Sequence, residues 1–241
     1  MNFRKFKLPP VLIKDGKDPC KVTIVKKELR KYQEFLSYYL DYKSPHKDIL
    51  IYHGLGSGKT VTAINVYNML YNYTPGWNVF IIIPSSLEKD PWLKDINNWL
   101  TKDEFDERYN NFIILHYDSP YADKEFMNAI KKSDSSKKNL YIFDEAHNFI
   151  KNVYNNINSK TGRRAHVIYD YIQRDKMEND ETRVMLLTGT PAANNPFELA
   201  LIYNLLRPKT FPMSETKFND IYIKNGILDS EVKNMFQRRI L

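Results

Sequence analysis

The sequence has 241 residues, of which 42% are hydrophobic, and its formal net charge at pH 7 is +7. Its longest purely apolar run, residues 79–83, is too short to cross a bilayer, and its amino terminus leads into no apolar signal region. A single cysteine, Cys20, cannot form an internal disulfide. We therefore expect an intracellular globular protein of a reducing compartment, without a membrane partner. The positive charge permits an anionic partner such as nucleic acid, although an A/T-rich genome explains the many Lys, Asn, Ile and Tyr residues equally well.

The predicted elements alternate between helices and strands. An apolar face formed by Leu29, Leu36 and Leu40 predicts a helix before the first strand. Five short apolar runs predict buried strands, at residues 48–52, 78–83, 111–117, 139–143 and 183–187. Runs of this kind suit a parallel sheet that is covered on both faces, with helical crossovers between the strands. The sequence therefore predicts an α/β fold, with a doubly wound, mainly parallel sheet and helices on both faces.

A glycine-rich loop follows the first predicted strand and precedes a predicted helix. Its glycines let the backbone wrap closely around phosphate oxygens, while Lys59 can reach the β- and γ-phosphates and Thr60 can ligate Mg²⁺. His53 stands where the strict pattern has its first glycine. The alternative is a glycine-rich turn that only happens to contain Lys-Thr. The pattern favours a nucleotide site, made of Gly54, Leu55, Gly56, Ser57, Gly58, Lys59 and Thr60.

An acidic pair follows the fourth predicted strand, in the run Asp144, Glu145, Ala146, His147. The carboxyl ends of parallel strands meet at one edge of a sheet, so we expect this pair to lie near the glycine-rich loop. Asp144 would hold Mg²⁺, and Glu145 would orient or deprotonate the water that attacks the γ-phosphate. An acidic surface turn is the alternative interpretation.

Two threonines, Thr188 and Thr190, flank a glycine after the fifth predicted strand. Their hydroxyl groups can hydrogen-bond the side chains of the acidic run and so connect the nucleotide site to its surroundings. A plain strand-to-helix turn explains the glycine and proline here but not the whole string. A helix is predicted next, with Asn195 as its cap and Pro196 in its first turn. Loops are predicted at residues 133–138 and 152–164.

The three motifs resemble a known family. Residues 56–60, 144–147 and 188–191 look like motifs I, II and III of superfamily 2 helicases, and the third, with Asn194 and Asn195, looks like the Swi2/Snf2 branch. Residues 29–33 are similar to the adenine-side Q motif of that branch. The second motif reads Asp-Glu-Ala-His, as in many viral members of the superfamily. The chain resembles the helicase-like ATPases of nucleocytoplasmic large DNA viruses, such as the poxvirus early transcription factor small subunit and nucleoside triphosphatase I.

This resemblance implies an ATP hydrolase with a RecA-like fold, a P-loop NTPase that uses ATP and Mg²⁺. It implies that Gln33 reads the adenine base. His147, Thr188 and Thr190 are assigned to the coupling of ATP hydrolysis to nucleic-acid binding.

The resemblance also implies a contact with nucleic acid. Pro84, Ser85 and Ser86 correspond to motif Ia, where such motors contact the phosphates of one strand, and helix capping is the alternative for the two serines. Arg163 and Arg164 extend the same track, although a solvated loop explains them about as well.

The family has a second RecA-like lobe, and no motif V or VI is visible after Pro191. By the resemblance, Arg238 and Arg239 lie in the linker that leads to that lobe. We predict an N-terminal segment with the Q-like motif at residues 1–45, an ATP-binding lobe at 46–210 and the start of the linker at 211–241. The isolated chain is expected to hydrolyse ATP very slowly, because the arginines of the second lobe complete the site.

The resulting expectation is the first motor lobe of a DNA-dependent ATPase or helicase that couples ATP hydrolysis to translocation on DNA, in viral transcription. RNA is not excluded, and the second lobe and RNA polymerase are the expected protein partners. The virion or the host cytoplasm is the expected location. Two alternatives stay open: the motor of a restriction system, and a transcription-factor scaffold that uses ATP as a conformational ligand.

Overall fold

The computed structural model describes residue 6 and residues 28–54, 56–157, 162–190 and 195–240, without the side chains of residues 228, 239 and 240. Leu55, Pro191 and Asn194, which belong to the predicted motifs, lie outside the described residues. No helix of the described part is both long and apolar enough to cross a membrane.

A five-stranded parallel sheet forms the centre of the molecule, in the order β1-β5-β4-β2-β3. Each strand coincides with one of the five predicted apolar runs, to within one residue at either end. The α/β prediction is therefore confirmed. The strands are β1 Ile49–Tyr52, β2 Trp77–Ile83, β3 Phe112–His116, β4 Lys138–Phe143 and β5 Arg183–Thr188.

Helices cover both faces of this sheet. Alternate residues of the central strands enter two apolar clusters, as Ile81 and Phe80 of β2 illustrate by packing on opposite faces. Because both faces are buried, the strands are almost continuously apolar. The helices that precede the last part of the chain are α1 Lys31–Tyr39, α2 Lys59–Tyr73, α3 Lys94–Trp99, α4 Lys102–Arg108, α5 Ala122–Lys132, α6 Ala146–Asn155, α7 Arg164–Glu178 and α8 Pro196–Leu206.

Local signals explain where several of these helices begin and end. Asn195 caps α8 by accepting a hydrogen bond from the Phe197 amide at 2.8 Å, and Pro196 occupies the first turn, as predicted. The loop predicted at residues 152–164 is wrong over its first four residues, which complete α6. Phe149, Ile150 and Val153 are buried together there, and this apolar face continues the helix through an Asn-rich sequence.

The last part of the chain packs on the same apolar cluster as α8. It contains α9 Glu215–Tyr222, a short antiparallel hairpin of β6 Ile223–Lys224 and β7 Ile227–Leu228, and α10 Lys233–Ile240. Phe218 lies 5.5 Å from Phe197 of α8, measured between ring centroids. The domain boundaries expected at residues 45/46 and 210/211 stay predictions.

Candidate functional site

All five parallel strands end at one edge of the sheet, and the predicted motifs follow three of them. The glycine-rich loop follows β1, the acidic pair follows β4, and Thr190 follows β5. Because these three strands are neighbours in the sheet, the three segments lie side by side. The His53 amide continues the pairing of β1 with β5 by donating to the Thr188 carbonyl at 3.1 Å.

Two glycines of the glycine-rich loop have backbone conformations that favour glycine. Gly56 and Gly58 have φ angles of 72° and 78°, in the left-handed region that favours glycine. A Cβ atom on Gly58 would also meet the side-chain nitrogen of Gln33 at 2.7 Å. A substitution of Gly58 is therefore strained by its conformation and would also require the Gln33 side chain to move.

Lys59 is the first residue of α2, and its side chain turns back over the loop. It is 8% exposed, and its Nζ donates to the carbonyl oxygens of His53 at 3.1 Å and Gly54 at 3.3 Å. Thr60 is buried beside it. Burial and the nearby Lys59 charge lower the pKa of His53 below its ordinary value, so a proton on this imidazole is disfavoured.

Two side chains of α1 hold the loop from outside. The Gln33 amide nitrogen donates to the Gly58 carbonyl at 3.1 Å, and its oxygen accepts from the Arg30 amide at 2.8 Å. The Tyr32 hydroxyl donates to the Ser57 carbonyl, and its ring meets His53 edge-on at 5.2 Å. Gln33 thus lies against the glycine-rich loop, and its role as adenine reader stays a prediction.

Asp144 is a buried carboxylate at the end of β4, with 3% exposure. Its Oδ1 accepts a hydrogen bond from the Glu145 amide at 2.9 Å, and its Oδ2 accepts one from the indole nitrogen of Trp92, also at 2.9 Å. Burial raises the pKa of the Asp144 carboxyl above its ordinary value, and these two bonds oppose the increase. The sequence analysis did not find Trp92, because it belongs to no recognised motif.

Glu145 has a backbone conformation that is rare for its residue type. Its φ of 46° lies in the left-handed region, at the point where β4 ends and α6 begins. The Tyr117 hydroxyl donates to the Glu145 carbonyl at 3.2 Å. A strained residue of this kind persists where its surroundings fix it, and such residues concentrate at functional sites.

The three residues predicted to couple hydrolysis to nucleic-acid binding, His147, Thr188 and Thr190, form one connected group. Nδ1 of His147 lies 2.9 Å from Oγ1 of Thr188 and 3.3 Å from Oε2 of Glu145. The Thr188 hydroxyl also accepts from the Thr190 amide and donates to the Thr190 carbonyl, both at 3.0 Å. The structure therefore joins the acidic run to the segment after β5, as the sequence analysis expects.

The donor atoms at this edge fit a magnesium ion. Mg²⁺ prefers oxygen ligands and keeps several waters, so one carboxylate and one hydroxyl suffice beside the phosphates of a nucleotide. Asp144 and Thr60 supply oxygen atoms of these two kinds. Among the described residues no cluster of three or more His, Cys, Asp or Glu forms a metal site.

Two of the residues predicted to contact nucleic acid, Ser85 and Arg164, contact the turn after β3. Ser85 donates its amide and its hydroxyl to the Asp118 carboxylate, at distances from 3.0 to 3.1 Å. Arg164 donates to the Pro120 carbonyl at 2.9 Å, while Arg163 is exposed. Pro84 precedes the short 3-10 helix Ser85–Leu87. An acidic side chain, that of Asp118, thus occupies the donors of Ser85, one of the two serines that the sequence analysis assigns to phosphate.

One family model and two viral proteins are similar in sequence to this chain. A family model described as "Type III restriction enzyme, res subunit" matches residues 26–193. A protein of Acanthamoeba polyphaga mimivirus named "Putative ATP-dependent RNA helicase" is 53% identical over the whole chain, which covers 31% of that protein. Nucleoside triphosphatase I of Choristoneura fumiferana entomopoxvirus is 31% identical over 83% of the chain, which covers 29% of the viral enzyme. The chain thus spans about a third of the length of these relatives.

A solved structure agrees on the fold. The SWI2/SNF2 ATPase core of Sulfolobus solfataricus in complex with dsDNA matches 87% of this chain and 41% of its own, with a TM-score of 0.57 and 19% identity. This likeness confirms the RecA-like architecture. Since the family model covers more than half of the sequence and its relatives are helicases and nucleoside triphosphatases, the chain belongs to the helicase-type ATPase family of the type III restriction enzyme res subunit.

Proposed function

We propose that this chain is the first motor lobe of an enzyme that hydrolyses ATP in order to move along DNA. One observation carries the proposal: Lys59, Asp144 and the contact between His147 and Thr188 lie at the same edge of one parallel sheet. Phosphate binding, metal binding and coupling each need one of these parts. The greater length of the relatives supports a second lobe outside this sequence.

The side chains divide the reaction between them. Lys59 bonds to two neutral carbonyl oxygens, and the charged phosphate oxygens of ATP would replace these partners because they bind an ammonium more strongly. When bound, Mg²⁺ supplies positive charge beside the phosphates, and Thr60 and Asp144 would hold it. Glu145 would orient or deprotonate the attacking water.

DNA is the proposed track, with RNA as the alternative outcome. The fold match is to a core that was solved with double-stranded DNA, whereas the mimivirus relative is named as an RNA helicase. Ser85, Ser86, Arg163 and Arg164 would contact phosphates, which carry no sequence information. A role in viral transcription, with RNA polymerase as partner and the virion or host cytoplasm as location, extends this proposal.

The family description favours a second candidate, the motor of a restriction system. Both functions use the same nucleotide site, so this chain cannot distinguish them. The two candidates differ in the further domains of a longer protein that contains this chain. A nuclease or methylase domain there would identify the restriction system. A scaffold that uses ATP only as a conformational ligand would bind nucleotide and show no turnover in the longer protein.

Calorimetric titration of this chain with ADP and Mg²⁺ tests the site. Lys59→Ala should weaken ADP binding by at least roughly tenfold, since it removes a charged hydrogen bond to phosphate. Lys102→Ala is the matched control, because Lys102 also begins a helix and lies on the exposed surface. Absence of ADP binding by the folded wild-type chain, or equal losses in both variants, would overturn the assignment.

A further inference from the structure

Trp92 is a fully buried side chain in an irregular segment between β2 and α3. It is 0% exposed, and it lies within the residues Glu88–Leu93, where Asp90 interrupts the helical backbone with φ of −136°. The indole Nε1 donates to Oδ2 of Asp144 at 2.9 Å, across 52 positions of the sequence. A core tryptophan therefore contacts the carboxylate that the proposed function assigns to Mg²⁺.

The bonds to Asp144 fix the plane of its carboxylate. Trp92 donates to one oxygen, and the Glu145 amide donates to the other. Rotation of the carboxylate about its last side-chain bond would break both contacts. Each carboxylate oxygen has about two lone-pair directions, so each oxygen keeps one for a further ligand.

We propose that Trp92 is a positioning residue of the metal site, whose indole N–H orients Asp144 for Mg²⁺. This inference rests on the proposed function. Partners that orient a metal ligand typically change metal affinity by about 10- to 100-fold when they are removed. Phenylalanine would fill most of the same space but would leave Oδ2 without this donor.

Trp77 provides a matched control for the packing of Trp92. It is also 0% exposed and belongs to the same apolar cluster, at the opposite end of β2 from the site. Its indole nitrogen has no hydrogen-bond partner among the described residues. Trp77→Phe therefore removes the same atoms from the core without removing a contact to the metal carboxylate.

The test compares Trp92→Phe and Trp77→Phe by ADP binding with Mg²⁺ and with EDTA, alongside thermal unfolding. We expect both variants to lose thermal stability. The ratio of ADP affinity with Mg²⁺ to ADP affinity with EDTA should fall about 10- to 100-fold in Trp92→Phe and stay unchanged in Trp77→Phe. An unchanged gain in Trp92→Phe would overturn the proposal, and so would equal losses in the two variants. Wild-type protein that binds no ADP would instead contradict the proposed function.

A second measurement covers the case in which Trp92→Phe does not fold. The sequence has three tryptophans, so the double variant Trp77→Phe, Trp99→Phe leaves Trp92 as the sole indole. Its fluorescence should change when ADP and Mg²⁺ are added and should change much less with ADP and EDTA. The same emission in both conditions, with ADP binding verified by calorimetry, would contradict a role at the metal site.

Discussion

Two buried carboxylates at opposite edges of the parallel sheet, Asp175 and Asp144, differ in their hydrogen-bond partners. At the amino edge, Asp175 of α7 accepts hydrogen bonds from the side chains of Asn139, Tyr141, Asn179 and Thr182, at 2.6 to 3.2 Å. These donors satisfy the buried carboxylate from several sides. Polar groups matched in this way stabilise the fold and leave little to offer a ligand.

The amino edge also contains a partly buried ion pair. Lys176 and Asp48 are 2.5 Å apart, and Asp48 also accepts from the Val184 amide at 2.8 Å. Burial raises the pKa of Asp48 and lowers that of Lys176, and the contact between them acts against both shifts. The charges of Lys176 and Asp48 thus neutralise each other within the fold.

At the carboxyl edge, the groups of the candidate site have neutral or few partners. Lys59 bonds to neutral loop carbonyls, Asp144 keeps lone pairs free, and Glu145 sits in a strained conformation. Such an arrangement adds little stability but leaves a cation and carboxylates available for a ligand. We therefore call the amino edge the stabilising edge and the carboxyl edge the reacting edge. Substitutions at the first should lower stability, and substitutions at the second should lower activity or ligand binding.

The largest expected effect is that of Glu145→Gln on ATP hydrolysis, in a longer protein that carries the proposed second lobe. Loss of the general base should lower the hydrolysis rate by roughly 10² to 10⁴ while ATP binding persists. Steady-state turnover and calorimetry measure the two quantities. Glu181→Gln, at the amino edge, should keep the wild-type rate. Similar rates of ATP hydrolysis in Glu145→Gln and Glu181→Gln would contradict the assignment of the reaction to the carboxyl edge.

The second expected effect is a loss of stability from Asp175→Ala at the amino edge. Removal of this acceptor leaves the Tyr141 hydroxyl buried without its partner, so the free energy of unfolding should fall by about 3 kcal/mol. Urea unfolding measures this change, with the exposed Asp170→Ala on the same helix as control. ADP affinity of the folded variant should stay within about twofold of the wild type. A large loss of affinity would show that the two edges are not independent.

A smaller effect should follow from substitutions at the two ends of β5. Thr188→Val removes the hydroxyl that joins His147 to Thr190 and should reduce DNA stimulation of ATP hydrolysis by about 0.5–2 kcal/mol in the longer protein. Thr182→Val, at the amino edge, should lower stability and leave DNA stimulation unchanged. Equal reduction of basal and DNA-stimulated hydrolysis by Thr188→Val would contradict a coupling role.

The smallest expected effect concerns Asp118, which occupies the donors of Ser85. Asp118→Asn removes a negative charge from the proposed phosphate track, so DNA binding by this chain should strengthen by about 0.5–1 kcal/mol. Fluorescence anisotropy at low salt measures the change, with the exposed Asp106→Asn as control. Equal changes in both variants would indicate a general effect of net charge.

Periodic and local signals account for what the sequence could predict. The five strands are almost continuously apolar, which is typical of a parallel sheet that is buried on both faces. The loop at Gly56 and Gly58 was predictable because the left-handed backbone requires glycine. The cap of α8 was predictable for the same kind of reason, since Asn195 and Pro196 act on neighbouring residues.

Contacts between distant segments account for what could not be predicted. Trp92 reaches Asp144, and Tyr32 reaches Ser57, through the fold and not through any spacing in the sequence. Asp118 follows a different strand from Ser85, so its carboxylate could not be placed at that amide in advance. The left-handed conformation of Glu145 is likewise imposed by its surroundings, because glutamate does not favour it.

The most direct test of the account is to map where nucleotide binds on the folded chain. Titration of the ¹⁵N-labelled protein with ADP and Mg²⁺ reports the amide resonances of both edges in one experiment. We expect the largest shift changes at residues 56–60 and 144–147, and little change at residues 138–139 and 175–183. Shift changes that concentrate at the amino edge, or none at residues 56–60, would contradict the division of the sheet into a stabilising and a reacting edge.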